Sequence, residues 1–156
     1  VALTVDADDA TLDAIAGALR IDIWQLHGGE SPERVAEVRA RRGAPVIKAL
    51  GVREAADLSE VARYDGVADM LLLDAKPPRG ATRPGGNGLA FDWRLIAERR
   101  WCSPVMLAGG LTPETVAEAA RRTGVPAVDV STGVERAPGE KDPARIRAFL
   151  DAARSA

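Results

Sequence analysis

The sequence is short of the residues on which several protein classes depend. It has one cysteine, Cys102, so no internal disulfide can form, and a lone thiol fits a reducing cytoplasm. It has one histidine, His27, too few imidazoles for a metal centre built on several of them, and no metal is expected. No stretch approaches the roughly 18 consecutive apolar residues of a membrane span, and no charged-then-apolar leader comes first. Charge of one sign is also lacking: the net charge is −2, which gives no electrostatic reason to expect nucleic acid or a membrane surface as partner. Neither a G-x-G-x-x-G after the first apolar run nor a P-loop occurs anywhere, so the usual dinucleotide and nucleotide cradles are missing.

What is present is a core. The 156 residues are 46% hydrophobic with only 4% aromatics, the profile of one globular domain, residues 1–156, rich in Ala, Val and Leu. Two patterns alternate along it. Short apolar runs recur as "VALTVD" (1–6), "IDIWQLHG" (21–28), "PVIKAL" (45–50), "DMLLLD" (69–74), "PVMLAGG" (104–110) and "AVDVSTG" (127–133). Between most of them lie segments with apolar residues three and four apart, such as Leu12, Ile15, Ala16 and Leu19, which predict amphipathic helices. Ser31-Pro32, Thr112-Pro113 and Asp142-Pro143 each set a capping residue before a first-turn proline. Two further helices, near Ser59–Tyr64 and Trp93–Arg99, are expected to be short.

Strand and helix in strict alternation predict an α/β protein with a parallel sheet and crossover helices. Apolar strands agree, because a parallel sheet is covered on both faces. A doubly wound open sheet and a (β/α)8 TIM barrel both remain possible at this point. Six units in 156 residues make about 26 residues each, so eight would need about 208, the lower end of the barrel's typical range. Because "VALTVD" begins inside a strand pattern, the chain reads as part of something longer, and the expectation is an incomplete barrel of about six βα units lacking the first two.

The residues at the C-terminal ends of the strands carry the chemistry. They are Asp6, His27-Gly28, Lys48, Asp74, Gly109-Gly110 and Ser131-Thr132-Gly133. In parallel barrels the active site lies at this end. The glycines of "LAGGLTPETV" and "DVSTGVE" let a ligand approach the backbone, so that N–H groups can face an anion. Asp74 ends an apolar strand and opens a polar segment running to Trp93. Connections longer than about 12 residues are more often lids or binding loops than plain turns.

"DIWQLHGGESPERV", "LLLDAKPPRGATRPGGNGLAFDW", "MLAGGLTPETVAEA" and "VDVSTGVERAPGEKDPARI" resemble the phosphoribosylanthranilate isomerase family of tryptophan biosynthesis, and the resemblance covers essentially the whole chain. It implies an eight-unit barrel of which this chain supplies units three to eight. It also implies an Amadori rearrangement of N-(5-phosphoribosyl)anthranilate, a small phosphosugar, without metal or cofactor. On this resemblance Asp74 is the general acid that opens the ribose ring, and Gly109, Gly110, Ser131, Thr132 and Gly133 bind the substrate phosphate. The segment after Asp74 is a lid, and Thr132 stands where the family commonly has serine. The family's general base is a cysteine after the first strand, in a unit this chain lacks. Cys102 precedes its strand and so faces the other end of the barrel.

His27 is either a substrate contact or a hydrogen-bonded structural histidine. Lys48 either adds positive charge near the site or snorkels. Asp129, read as lying inside the last strand, could orient the substrate amine. Trp24, Trp93 and Trp101 are read as packing residues. The competing functions are a non-catalytic phosphosugar-binding barrel fragment and a metal-dependent epimerase, the latter opposed by the scarcity of histidine. The oligomeric state is left open.

Overall fold

The computed structural model of the chain describes residues 1–76, 92–97 and 99–156. Six parallel strands form one sheet: β1 (Ala2–Thr4), β2 (Trp24–Leu26), β3 (Val46–Val52), β4 (Met70–Ala75), β5 (Val105–Leu107) and β6 (Ala127–Val128). They are ordered in space as in sequence, each hydrogen-bonded to the next. The crossovers carry α1 (Asp9–Ala18), α2 (Pro32–Arg42), α3 (Leu58–Ala62), α4 (Arg94–Ala97) and α5 (Val116–Thr123), and α6 (Pro143–Arg154) closes the chain.

The apolar run of β4 follows from burial on both faces. Leu71 and Leu73 join the large cluster that packs the sheet against the helices, with Leu26, Val46, Leu107, Val35 and Phe149. Leu72 points the other way, into a small cluster with Ile47, Ala49 and Ala108. This is the two-residue alternation of a strand, apolar on both sides because both sides are covered.

Local signals start and stop the helices. Asp8 caps α1 by accepting from Thr11 N–H at 2.8 Å, and Ser31 caps α2 through Arg34 N–H at 3.3 Å. Asp142 caps α6 through Ala144 N–H at 2.8 Å. The Thr112-Pro113 signal does not start a helix directly: residues 112–115 form a turn in which Thr112 Oγ1 accepts from Glu114 N–H, and α5 begins at Val116. An antiparallel hairpin of β7 (Glu135–Ala137) and β8 (Glu140–Lys141), absent from the sequence reading, sits between β6 and α6.

The expected fold class, an incomplete (β/α)8 barrel lacking its first two units, is corrected. The described residues form a six-stranded parallel α/β sheet, with β1 at one edge and β6 at the other. The expectation rested on residues per unit and on a first run that reads as mid-strand, and neither fixes how many strands a sheet has. Closure depends on strand number, tilt and stagger together, which no local pattern encodes. Asp129 is corrected too: β6 ends at Val128, so Asp129 begins the loop rather than lying in the strand. The expected lid, residues 77–91, lies outside the described residues.

Candidate active site

The parallel arrangement brings all the strand ends to one edge of the sheet. Asp74 is the penultimate residue of β4, in register with Gly51 of β3. Its side chain is 17% exposed, enough for a ligand to reach it but not enough for free hydration. One cleft is lined by Asp74 together with Ala108–Leu111 after β5 and Asp129–Gly133 after β6. The residues named from sequence as acid and phosphate loops therefore share a single concavity.

Glycine is required where those loops close up. Gly109 has φ +83°, and a Cβ there would lie 2.7 Å from both Ala75 Cβ and Asp74 Oδ1, with Ala75 N closer still. Gly133 has no room either, since its Cβ would overlap the carbonyl of Leu111. The first glycine brings the backbone after β5 against Asp74, and the second lets the loop after β6 cross the loop after β5.

Two cations fix the loop after β6 from behind. Lys141 Nζ donates to Ser131 O at 2.8 Å, to Ser131 Oγ at 3.1 Å and to Glu135 at 2.7 Å. Arg145 on α6 donates from Nε and Nη2 to Gly133 O at 3.2 and 3.0 Å. Each carbonyl held in this way turns the N–H of its own peptide to the opposite side, because the peptide unit is planar and trans. For the peptide of Ser131 that N–H belongs to Thr132.

Three titratable groups converge on the cleft. His27 Nε2 lies 4.0 Å from Asp74 Oδ2, and His27 Nδ1 is 3.4 Å from Gln25 Nε2. Burial pushes the Asp74 carboxyl above its ordinary value, against the pull of the Ala75 N–H and of His27, and with a further push from Asp129. The protein crowding Asp129 raises its carboxyl as well, opposed by His27 and Lys141. Asp129 as a residue is exposed, so water reaches it and it is the less suited of the two to hold a proton.

Lys48 belongs to neither reading made from sequence. It is 1% exposed and ion-paired with buried Glu30 at 2.8 Å, so it neither snorkels nor presents charge to the cleft. Glu30 was missed, because nothing in "HGGES" distinguishes a buried glutamate from a solvated one. Cys102 is exposed, with its N–H on Asp65, in the segment leading into β5 and thus at the opposite end of the sheet from Asp74. Trp24 is 1% exposed in the core, and Trp93 and Trp101 pack against it. Among the described residues no group of three His, Cys, Asp or Glu side chains is placed to hold a metal ion, and no helix is long and apolar enough to cross a membrane.

A parallel α/β fold with a half-buried carboxyl and glycine-bearing loops at its C-terminal strand ends defines the class. Comparison with known proteins then gives the family. The family model described as N-(5'-phosphoribosyl)anthranilate (PRA) isomerase matches residues 1–152, and the chain belongs to that family. An N-(5'-phosphoribosyl)anthranilate isomerase of Cereibacter sphaeroides is 67% identical over 154 residues, covering 99% of this chain and 73% of the relative. One from Paracoccus denitrificans is 61% identical, over 96% of this chain and 70% of its own. The crystal structure of the enzyme from Thermotoga maritima aligns with a TM-score of 0.83 at 33% identity, covering 99% of this chain and 72% of that one. A phosphoribosyl anthranilate isomerase in complex with reduced 1-(o-carboxyphenylamino)-1-deoxyribulose 5-phosphate aligns with a TM-score of 0.79 at 31% identity, over 99% of this chain and 70% of that one. Nearly every residue of the six-stranded sheet and its helices thus has a counterpart in solved isomerases.

Proposed function

We propose that this cleft binds N-(5-phosphoribosyl)anthranilate and donates the proton that opens its ribose ring, the first step of the Amadori rearrangement to 1-(2-carboxyphenylamino)-1-deoxyribulose 5-phosphate in tryptophan biosynthesis. The observation that carries the reading is the Asp74 carboxyl, buried enough to be held above its ordinary value and open to the cleft. A group that must protonate a sugar ring oxygen near neutral pH has to retain a proton for part of the time, and partial burial supports that. Donation to the ring oxygen breaks the C1′–O bond and leaves a Schiff base to the anthranilate nitrogen. Loss of the C2′ proton then gives an enolamine, which tautomerises to the ketone.

The phosphate is placed on the backbone of Gly109-Gly110 and Ser131-Thr132-Gly133. The glycines admit it, and Lys141 and Arg145 hold the second loop in shape. Asp129 faces the substrate amine and His27 the ring-opening end. The sequence offers no requirement for a metal or cofactor, and we place the protein in the cytoplasm.

The resemblance assigns the C2′ proton to a cysteine. Cys102 does not fit that part, because its thiol is at the far end of the sheet from Asp74. A second reading is that these residues bind the phosphosugar without completing the reaction.

Turnover and binding separate the two. Asp74→Asn keeps the shape of the side chain and removes the proton donor, so it should leave substrate affinity nearly intact and lower kcat by at least about 10²-fold. Near-normal turnover of the variant would remove Asp74 from the mechanism. Tight binding of the product analogue with no turnover by the unsubstituted protein would establish the binding-only reading.

A further inference from the structure

The buried pair of Glu30 and Lys48 ties β3 to the loop after β2, and the chemistry above does not use it. Lys48 is on β3, directly across from Leu26 of β2. All three of its ammonium protons are engaged: Nζ donates to Glu30 Oε2 at 2.8 Å, to Gly28 O at 2.7 Å and to Leu26 O at 3.4 Å. The Glu30 carboxylate is equally occupied, with Oε2 accepting from Gly28 N–H and Oε1 from Asp6 N–H, both at 2.9 Å. Tyr64 covers the pair, its hydroxyl donating to Glu30 O at 3.0 Å.

These bonds share one geometric consequence. The carbonyl of Leu26, just before His27, and both backbone groups of Gly28, just after it, are tied to the ion pair. His27 N–H itself bonds Thr4 O at 2.9 Å. The backbone of His27 is therefore held from both sides, at the point where its ring stands 4.0 Å from Asp74. Strain supports the same view. Asp6, whose N–H donates to Glu30, has φ +49°, a left-handed conformation that is uncommon for a residue with a side chain. Asp6 also accepts from Gly29 N–H at 2.6 Å, which closes the loops after β1 and β2 into one unit.

Stability alone gives a weak account of such a pair. Two charges removed from water regain by mutual attraction little more than their desolvation cost, and apolar replacements of similar volume are often as stable. What they do supply is directional: several backbone groups held at fixed distances. We propose that Glu30 and Lys48 are positioning residues that set His27 against Asp74, and that they influence proton donation only through His27. The proposal rests on the reading of Asp74 as the acid.

Among the described residues, the charged groups that bear on Asp74 are His27 and Asp129. His27 approaches from β2 and opposes the rise in its pKa, while Asp129 adds to it from beyond β6. If His27 is displaced, Asp74 should titrate at a higher pH. The test uses the whole chain and is independent of turnover. Glu30→Gln/Lys48→Met removes both charges together and leaves neither one buried alone. Carboxyl carbon NMR follows Asp74, and the ring resonances of the chain's only histidine follow His27.

The expected result is an upward shift of the Asp74 titration in the double variant, with His27 ring signals that split or broaden. Adding His27→Gln to the double variant should then shift Asp74 no further, although His27→Gln alone does. A second perturbation leaves the pair intact: Gly28→Ala would place a Cβ 2.6 Å from Asp6 Cγ, displace the same loop, and give the same signature. The proposal is overturned if both variants fold with the Asp74 titration and His27 ring signals unchanged, or if His27→Gln shifts Asp74 equally in both backgrounds. Normal turnover by Asp74→Asn would instead sink the acid assignment while leaving this coupling measurable.

Discussion

Gly109→Ala is the most informative single substitution, because the structure sets its effect on both stability and function. The new Cβ would meet Ala75 Cβ and Asp74 Oδ1 at 2.7 Å. Ordinary carbon contacts begin near 3.4 Å, so these atoms must retreat by roughly 0.7 Å. The residue must also hold φ +83°, at about 1–2 kcal/mol for a side chain in the left-handed region. Gly124→Ala is the control. It has φ +66° and nothing within 4 Å of its Cβ, so it carries the conformational cost alone. In a domain of this size about 1 kcal/mol lowers Tm by roughly 2–4 °C, so the control should lose about 2–8 °C and bind ligand normally. Gly109→Ala should lose more, and should weaken both ligand affinity and turnover, since a displacement near 1 Å at a reacting group costs up to about 10²-fold. Thermal unfolding and calorimetric titration with 1-(2-carboxyphenylamino)-1-deoxyribulose 5-phosphate measure both. Equal behaviour of the two alanine variants would refute the claim that Gly109 exists to bring the loop against Asp74.

Other outcomes follow from the same geometry. A structure with bound ligand should show phosphate oxygens within about 3.2 Å of backbone N–H groups in residues 109–110 or 131–133; a phosphate seated away from both loops would contradict the cradle. Lys48→Met alone leaves the Glu30 carboxylate buried without its partner and should cost about 3–5 kcal/mol in denaturant unfolding. Adding Glu30→Gln should recover much of that, and if the double variant is no more stable than the single, the coupling is absent. Burial alone would raise the Glu30 carboxyl, but Lys48 and the Asp6 N–H outweigh it and hold it below its ordinary value. A carboxylate depressed on folding stabilises fully above its unfolded pKa, and that stability disappears as pH falls through the folded value. Glu30→Gln should therefore flatten the acid limb of stability against pH, and an unchanged limb would show that Glu30 does not govern it. Asp74 has the opposite sign: its raised carboxyl favours the folded state at low pH, a contribution lost as pH rises through its folded value, so Asp74→Asn should raise stability near neutral pH relative to acid.

Much of this architecture is local and was legible in the chain. "DMLLLD" reads as a strand covered on both faces, and Leu71 to Leu73 are buried in two clusters on opposite sides of the sheet. Ser31 and Asp142 start their helices because a side-chain oxygen before a first-turn proline satisfies free N–H groups. The polar residues at the strand ends were legible for a related reason: alternating strands and helices force a parallel sheet, and a parallel sheet puts all its C-terminal ends on one edge. Asp74, the two glycine-bearing loops and His27 were thereby placed together before any distance was known.

What the chain by itself did not decide depends on residues distant in sequence. Whether the first and last strands join is a property of accumulated twist and stagger, and among the described residues β1 and β6 are the two ends of the sheet. Lys48 and Glu30 are 18 residues apart, and each alone has the composition of a solvated surface side chain; only the packing of β2 on β3 buries them and gives each the other as partner. Asp129 falls just outside its strand because β6 ends where its ladder with β5 ends, at Val128. Local periodicity determines which elements form and where they point, whereas closure, buried charge and the last rung of a ladder are set by what lies across the gap.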